Sequence, residues 1–531
     1  MREIRYESFY RYDEMTAFLR EAAAEHPERL TLASLARTPE GRELWLATLT
    51  DPSTGPAESK PAYYVQAGIH AQEGAGTTAA LHLLHTLLSD AAQAGLLRRV
   101  AFYIVPRVNP DGTEYAITAR APIRSRLEPT DAINGLVPQD LDGDGRVLSM
   151  RWQDPAGPFR QDDVDPRFLV RREPGDQGPF YQVCTEGLIQ DYDGSAIQAG
   201  NRSIDFNRNY ASRWEPSSVS SRYPFCEVET RAVAEFTLSR PNIFAGVDVH
   251  CGTNAILRLS PRADSELDQG DLEQILTIGR RAEAITGLPL LSAREYGDSW
   301  RTHPILPGSS QFWAYYHLGI SFYVVELGNG FNSAGITARE YFAADARTRE
   351  TVLMRRVLAC HDQAGSEIVA PWRQFDHPQL GQVEIGGVLQ GVGYYMLPSC
   401  MSAVIPRTTA FALEHAGLHP QLQLSGVEAT ACAPGLYRLR ATVANIGGFS
   451  TQVMRGGGVP ELRRPVRVSL EIPDGAEILS RVRIAEVGSL ADRGGSAKLE
   501  WFLRAPAGST VAVVAHQPRA GMARGEVRLT A

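Results

Sequence analysis

Residues 61–88 read PAYYVQAGIHAQEGAGTTAALHLLHTLL, and the hydrophobic pattern changes period half-way along. Ala62 to Ile69 has few polar breaks and carries Tyr63, Tyr64, Val65 and Ile69, the pattern of a buried strand. From about Gly76 the apolar positions Ala79, Ala80, Leu83, Leu84, Leu87 and Leu88 recur at helical spacing. His70 and Glu73 therefore fall on the turn between a strand end and a helix start. Turns at that edge of an α/β sheet are where ligands usually bind. Two readings of the pair are open: a polar turn whose carboxylate suits a helix N-terminus, or two ligands of a metal ion.

The same alternation extends on both sides. Met15, Phe18, Leu19, Ala22 and Ala23 give residues 12–26 an amphipathic helix, and Glu43 to Thr50 is strand-like. VAFYIVPRV at 100–108 reads as a strand ending in the turn Asn109-Pro110-Asp111-Gly112. Residues 227–239 are helical, with Val228, Ala232, Val233 and Phe236 on one side. IFAGVDVH at 243–250 is a strand that ends on a histidine, and ISFYVVE at 320–326 one that ends on a glutamate. Strands alternating with helices imply an α/β fold: a mixed, largely parallel central sheet flanked by helices.

Residues 125–205 are rich in Asp, Gly, Pro and Arg with little periodicity, and read as a long insertion with short strands. Beyond residue 410, LYRLRATVANIGG, RRPVRVSLEI, AKLEWFLRAP and STVAVVAHQ alternate apolar and polar residues between turn signals. That pattern predicts an all-β, immunoglobulin-like sandwich at 411–531. The expected organisation is an α/β domain at 1–370 that includes the insertion, a connector at 371–410 and the sandwich at 411–531.

The chain of 531 residues is long enough for two or three domains, and its 43% hydrophobic content fills a large core. Its net charge of −8 provides no field for nucleic acid or an anionic membrane. No apolar run is long enough to span a bilayer. The opening MREIRYESFYRYDEM lacks a secretory pattern, and the six cysteines are scattered without a CxxC pair. Reduced thiols and a cytoplasmic location are the expectation.

Zinc catalysis usually takes three His or carboxylate ligands and leaves a fourth position open. His70 and Glu73 supply two, and His250, at the end of its own strand, is the candidate third. Asp248 shares the strand face of His250 and is a candidate partner. His82 and His85 lie further into the helix and read as face residues.

Five motifs then occur in order: the HxxE of His70 and Glu73, NPDG at 109–112, DFNRN at 205–209, the strand-final His250 and VVEL at 324–327. Together they resemble the zinc carboxypeptidases of the carboxypeptidase A type, over roughly residues 5–370. The resemblance implies a carboxypeptidase-like fold and one zinc per chain, held by His70, Glu73 and His250. Glu326 matches the general base. Asn207 and Arg208 match the pair that holds the substrate's terminal carboxylate, and Asp205 the acid that orients the first zinc histidine. Arg124 falls, by spacing after NPDG, where the family has the arginine that polarises the scissile carbonyl. The implied activity is removal of C-terminal residues from peptides with a free terminal carboxylate.

Two departures from the family stand out. Its tyrosine over the substrate's terminal end would fall near His303 or Pro304; Tyr296 is the nearest upstream tyrosine, and His303 is the other candidate donor. The long insertion is the second departure. Gln311 falls where the terminal side chain is read, and a neutral amide goes against a basic preference. Within the insertion, Asp140, Asp142 and Asp144 are spaced like the opening of a calcium loop, although its twelfth position holds Arg151. A calcium site and a solvated acidic turn are both open. So are two other functions: a zinc amidase or deacylase acting on N-acyl amino acids or cell-wall peptides, and a binding protein acting through its sandwich. Oligomeric state is not legible.

Overall fold

The computed structural model describes residues 1–119, 123–252, 254–261, 263–292, 295, 306–391 and 396–530. Its centre is an eight-stranded sheet. The strands are β1 (Leu30–Arg37), β2 (Glu43–Leu49), β3 (Ala62–Ala67), β4 (Ala101–Val105), β5 (Ile243–His250), β6 (Ala255–Arg258), β7 (Leu290–Ser292) and β8 (Ser321–Glu326), in the order β1-β2-β4-β3-β5-β8-β6-β7. The four middle strands, β4, β3, β5 and β8, run parallel. Every residue of those four strands is buried, which is why they read as continuous apolar runs.

Helices cover both faces. They are α1 (Tyr12–Glu25), α2 (Gly74–Ser89), α3 (Pro110–Ala119), α4 (Val228–Leu238), α5 (Gln269–Thr286) and α6 (Pro398–Gly417). Tyr63 and Val65 of β3 pack with α1, α2, α5 and α6 in one core. Tyr64, their neighbour on the opposite pleat, packs with α4 and the helical segment at 310–318 in another. Among the described residues no helix is long and apolar enough to cross a membrane. All six cysteines are free thiols.

Some elements differ from their sequence reading. NPDG opens a helix: Asn109 Oδ1 accepts from the Gly112 N–H at 2.9 Å, and Pro110 stands at the start of α3. An Asn-Pro pair signals a turn and a helix N-terminus equally well. Residues 369–388, largely within the expected connector, form a hairpin that pairs with Ser149–Gln153. It thereby completes a six-stranded sheet otherwise built from the insertion. The expected boundary at 410/411 lies inside α6, a helix with Pro406 in its interior.

At the C-terminal end, two four-stranded antiparallel sheets share one core that includes Tyr437, Leu439, Trp501, Val468, Val511 and Val513. This sandwich rests on the α/β unit. Asp271, in the first turn of α5, accepts from the Arg455 and Gly456 N–H groups at 2.7 and 2.8 Å and from the Tyr315 hydroxyl at 2.8 Å. The buried Arg519 guanidinium donates to the carbonyls of Leu318, Gly319 and Gln452.

Candidate metal centre

The site lies at the C-terminal edge of the parallel strands. His250 and Glu326 are paired in register where β5 and β8 end. The last residue of β3, Ala67, pairs with Val249. The chain then turns through Gly68, at φ +62°, to reach His70. Glu73 occupies the N-cap position of α2. Gly76 sets how closely α2 meets β5, because a Cβ there would stand 2.8 Å from the Val249 carbonyl.

These constraints bring three side chains to one point. His70 Nδ1 is 2.9 Å from Glu73 Oε1. His250 Nδ1 is 3.1 Å from Glu73 Oε2 and 3.1 Å from His70 Nδ1. One donor atom from each residue lies within 4.8 Å of the others, and all three residues are buried. Burial works to raise the Glu73 carboxyl, but the His70 and His250 charges outweigh it and hold it well below the ordinary range. For His250, burial works to lower the pKa, yet Asp248 and Glu73 lift it well above its ordinary value. Two imidazole nitrogens and a carboxylate facing one point form the donor set of a catalytic zinc site, and the residues present fit that ion.

Glu326 stands at the rim of this cluster. Its Oε2 is buried with no hydrogen-bond partner among the described residues, and burial pushes its carboxyl up to about 7. Arg124 reaches in from the loop before the insertion: Nη1 donates to Glu73 Oε1 at 2.9 Å, and Nε lies 3.4 Å from Asp205 Oδ2. The neck of the insertion positions Arg124 and Asp205 together. There Arg126–Pro129 pairs antiparallel with Asn201–Ile204, so the chain enters beside the point where it leaves.

Asp205 Oδ1 lies 3.0 Å from His70 Nε2 and accepts from the Asn207 N–H at 2.7 Å. Burial works to raise this carboxyl, and the charges of His70, Arg208 and Arg124 hold it well down. Asn207 Oδ1 accepts from the Ser310 N–H at 2.8 Å, which leaves its Nδ2 group without a partner among the described residues. Arg208 donates from Nη1 to the Asn207 carbonyl at 2.7 Å, and the same nitrogen lies 3.9 Å from Asp205 Oδ2.

Gln311 is buried, and its amide donates to the Leu257 carbonyl at 2.9 Å. Tyr296 and His303 lie outside the described residues. His82 is away from the site and meets Thr409 of α6 at 2.7 Å.

The calcium expectation is not supported. Asp140 accepts from the Gly143 and Gly145 N–H groups, Asp144 is paired with Arg146, and Arg151, at the twelfth position, is paired with Glu384. Glu186 joins Asp140 and Asp142 within 4.8 Å, but both of its oxygens already accept backbone N–H groups. The acidic turn is closed by its own backbone and by arginine.

Sequence reasoning missed three residues that organise the site. Ser125, Gln66 and Ser310 are buried polar groups in apolar or loop contexts, where no spacing or motif marks them.

A family model described as Zinc carboxypeptidase matches residues 15–347. The chain belongs to the zinc carboxypeptidase family. A second model, for a domain of unknown function, matches residues 421–528 in the sandwich. Carboxypeptidase B of Astacus astacus is 29% identical over 148 residues, 28% of this chain and 46% of that protein. Zinc carboxypeptidase A 1 of Drosophila melanogaster is 29% identical over 133 residues, 24% of this chain and 31% of that protein. The chain thus spans less than half the length of these curated relatives. Among solved structures, bovine thrombin-activatable fibrinolysis inhibitor in complex with tick carboxypeptidase inhibitor aligns over 68% of this chain and 99% of that one. Its identity is 18% and its TM-score 0.39.

Proposed function

We propose that this member of the zinc carboxypeptidase family is a metallocarboxypeptidase that hydrolyses the C-terminal peptide bond of peptides. The observation that carries the reading is the convergence of His70, Glu73 and His250 beside an in-register Glu326 with a buried, unpartnered oxygen. His70, Glu73 and His250 would hold zinc, which when bound acidifies water and polarises a carbonyl.

Glu326 accepts a proton from the attacking water at its free oxygen and returns it to the leaving amine nitrogen. Arg124, whose side chain is one-third exposed, offers its guanidinium to the charge developing on the scissile carbonyl oxygen. The Nδ2 group of Asn207 and the remaining donors of Arg208 hold the substrate's terminal carboxylate, for which a guanidinium is the fitting partner. Requiring that carboxylate makes the reaction exo-acting. With the Gln311 amide already held by Leu257, the terminal side chain of the substrate meets a neutral wall at this position.

The test is Glu326→Gln. It is expected to keep its zinc and to lose about 10²- to 10⁴-fold in kcat, the range for removing a general base. Full activity in that variant would reject the mechanism. Faster turnover of an N-acyl amino acid than of a tripeptide by the unaltered enzyme would place it with the amidases.

A further inference from the structure

Both imidazoles of the metal centre are backed by a carboxylate on the side away from the centre. His70 Nε2 meets Asp205 Oδ1 at 3.0 Å, and His250 Nε2 meets Asp248 Oδ2 at 3.1 Å. The second pair is a close ion-pair contact rather than an aligned hydrogen bond. Asp248 precedes His250 by two residues on β5, so the two side chains leave the strand on one face.

Asp248 is completely buried in a strand that otherwise reads as apolar. A carboxylate so placed needs donors around it. It has two besides His250: Gln66 Nε2 at 2.7 Å and Ser310 Oγ at 2.6 Å, both on Oδ2. Gln66 is itself oriented, since its Oε1 accepts from the Tyr64 hydroxyl at 2.9 Å. Ser310 faces two ways, because its backbone N–H donates to Asn207 Oδ1. A continuous path therefore runs from Asn207 through Ser310 and Asp248 to His250.

We propose that Asp248 is the positioning residue of His250, and that through Ser310 it also fixes Asn207. One buried carboxylate then sets both the metal-binding and the carboxylate-binding halves of the site. A carboxylate facing Nε2 keeps the ring proton on that nitrogen, so the Nδ1 lone pair faces the metal position. The oriented donors Gln66 and Ser310 hold the carboxylate still. This inference rests on the zinc-site reading above.

The experiment uses the full chain and Zn²⁺ itself, with affinity read by chelator competition, Co²⁺ absorption as a second probe and the melting temperature of the metal-free protein as a check on folding. Asp248→Asn is expected to bind Zn²⁺ about 10- to 100-fold more weakly, as for other carboxylates that orient a ligand histidine, and to alter the Co²⁺ spectrum. Ser310→Ala is expected to shift Zn²⁺ affinity in the same direction by less, and to raise KM for a free-carboxylate peptide. Zn²⁺ affinity and Co²⁺ spectrum unchanged in Asp248→Asn would overturn the proposal and leave the zinc site standing. If Asp248→Asn does not fold, unchanged Zn²⁺ affinity and KM in Ser310→Ala overturn it. Absence of Zn²⁺ uptake by the unaltered chain would overturn the site reading and the proposal together.

Discussion

Ser125 joins three segments of the site through one buried residue. Its hydroxyl donates to the Ile69 carbonyl, next to His70, at 3.0 Å and accepts from the Phe206 N–H, next to Asp205, at 3.2 Å. Its carbonyl accepts from the Asn109 amide at 2.7 Å. Ser125→Ala leaves a buried N–H and a buried carbonyl without this hydroxyl. It is expected to cost about 1–3 kcal/mol, read as a lower urea midpoint at unchanged slope. Arg208 is the second residue whose loss has a defined signature. Arg208→Ala removes charge-assisted hydrogen bonds worth about 1.5–3 kcal/mol, so kcat/KM for a free-carboxylate peptide should fall about 10- to 100-fold. The same substitution should leave Zn²⁺ affinity in place, which chelator competition would check. His70, His250 and Glu326 were legible in the sequence because each stands where an apolar run stops: His70 just past β3, His250 closing β5, Glu326 closing β8. Ser125, Gln66 and Ser310 were not, because a lone polar residue carries no period and its partners are distant in sequence.

Among the elements, α6 departs most from its sequence reading, and it has a pH signature. His415 near its C-terminal end bridges β3 and β8, with Nδ1 3.0 Å from the Tyr63 hydroxyl and Nε2 3.0 Å from Ser321 Oγ, and its ring stacks on Phe411. A neutral imidazole satisfies this arrangement with one nitrogen donating and the other accepting. Burial pushes its pKa down from 6.5 to about 3. The unfolded chain therefore binds a proton here below about pH 6.5, whereas the folded chain does not until about pH 3. The His415 contribution is complete above pH 6.5 and is lost as pH falls towards 3, by about 1.4 kcal/mol per pH unit. His415→Gln should flatten that acid limb, as seen by urea unfolding at a series of pH values; an unchanged slope would contradict the assignment. The middle strands were readable because burial on both faces leaves a long apolar word. The pairing of the 369–388 hairpin with the insertion was not, since strands more than 200 residues apart leave no local trace of their register. Pro406 inside α6 hid the helix in the same way, by mimicking a stop.

At the scale of the whole molecule, the sandwich and the α/β unit meet at the segment that carries Ser310 and Gln311. Arg519 from the sandwich ties the carbonyls at the end of that segment, and Asp271 holds the Arg455–Gly456 backbone against it. Gly319 and Gly458 pack so closely that a Cβ on Gly319 would stand 2.9 Å from the Gly458 Cα. Arg519→Met strips the donor from three carbonyls and should cost about 2–5 kcal/mol in urea unfolding. If the sandwich braces the site, that variant should also raise KM for peptides; a change in stability alone would confine it to the fold. The proposed carboxypeptidase activity requires a metal centre beside a clamp for a free terminal carboxylate. The most direct measurement incubates the zinc-loaded protein with one peptide library in two forms, free and amidated at the C-terminus, and follows products by mass spectrometry. The account predicts loss of single terminal residues from the free form only. Equal cleavage of both forms, or of neither, would contradict it.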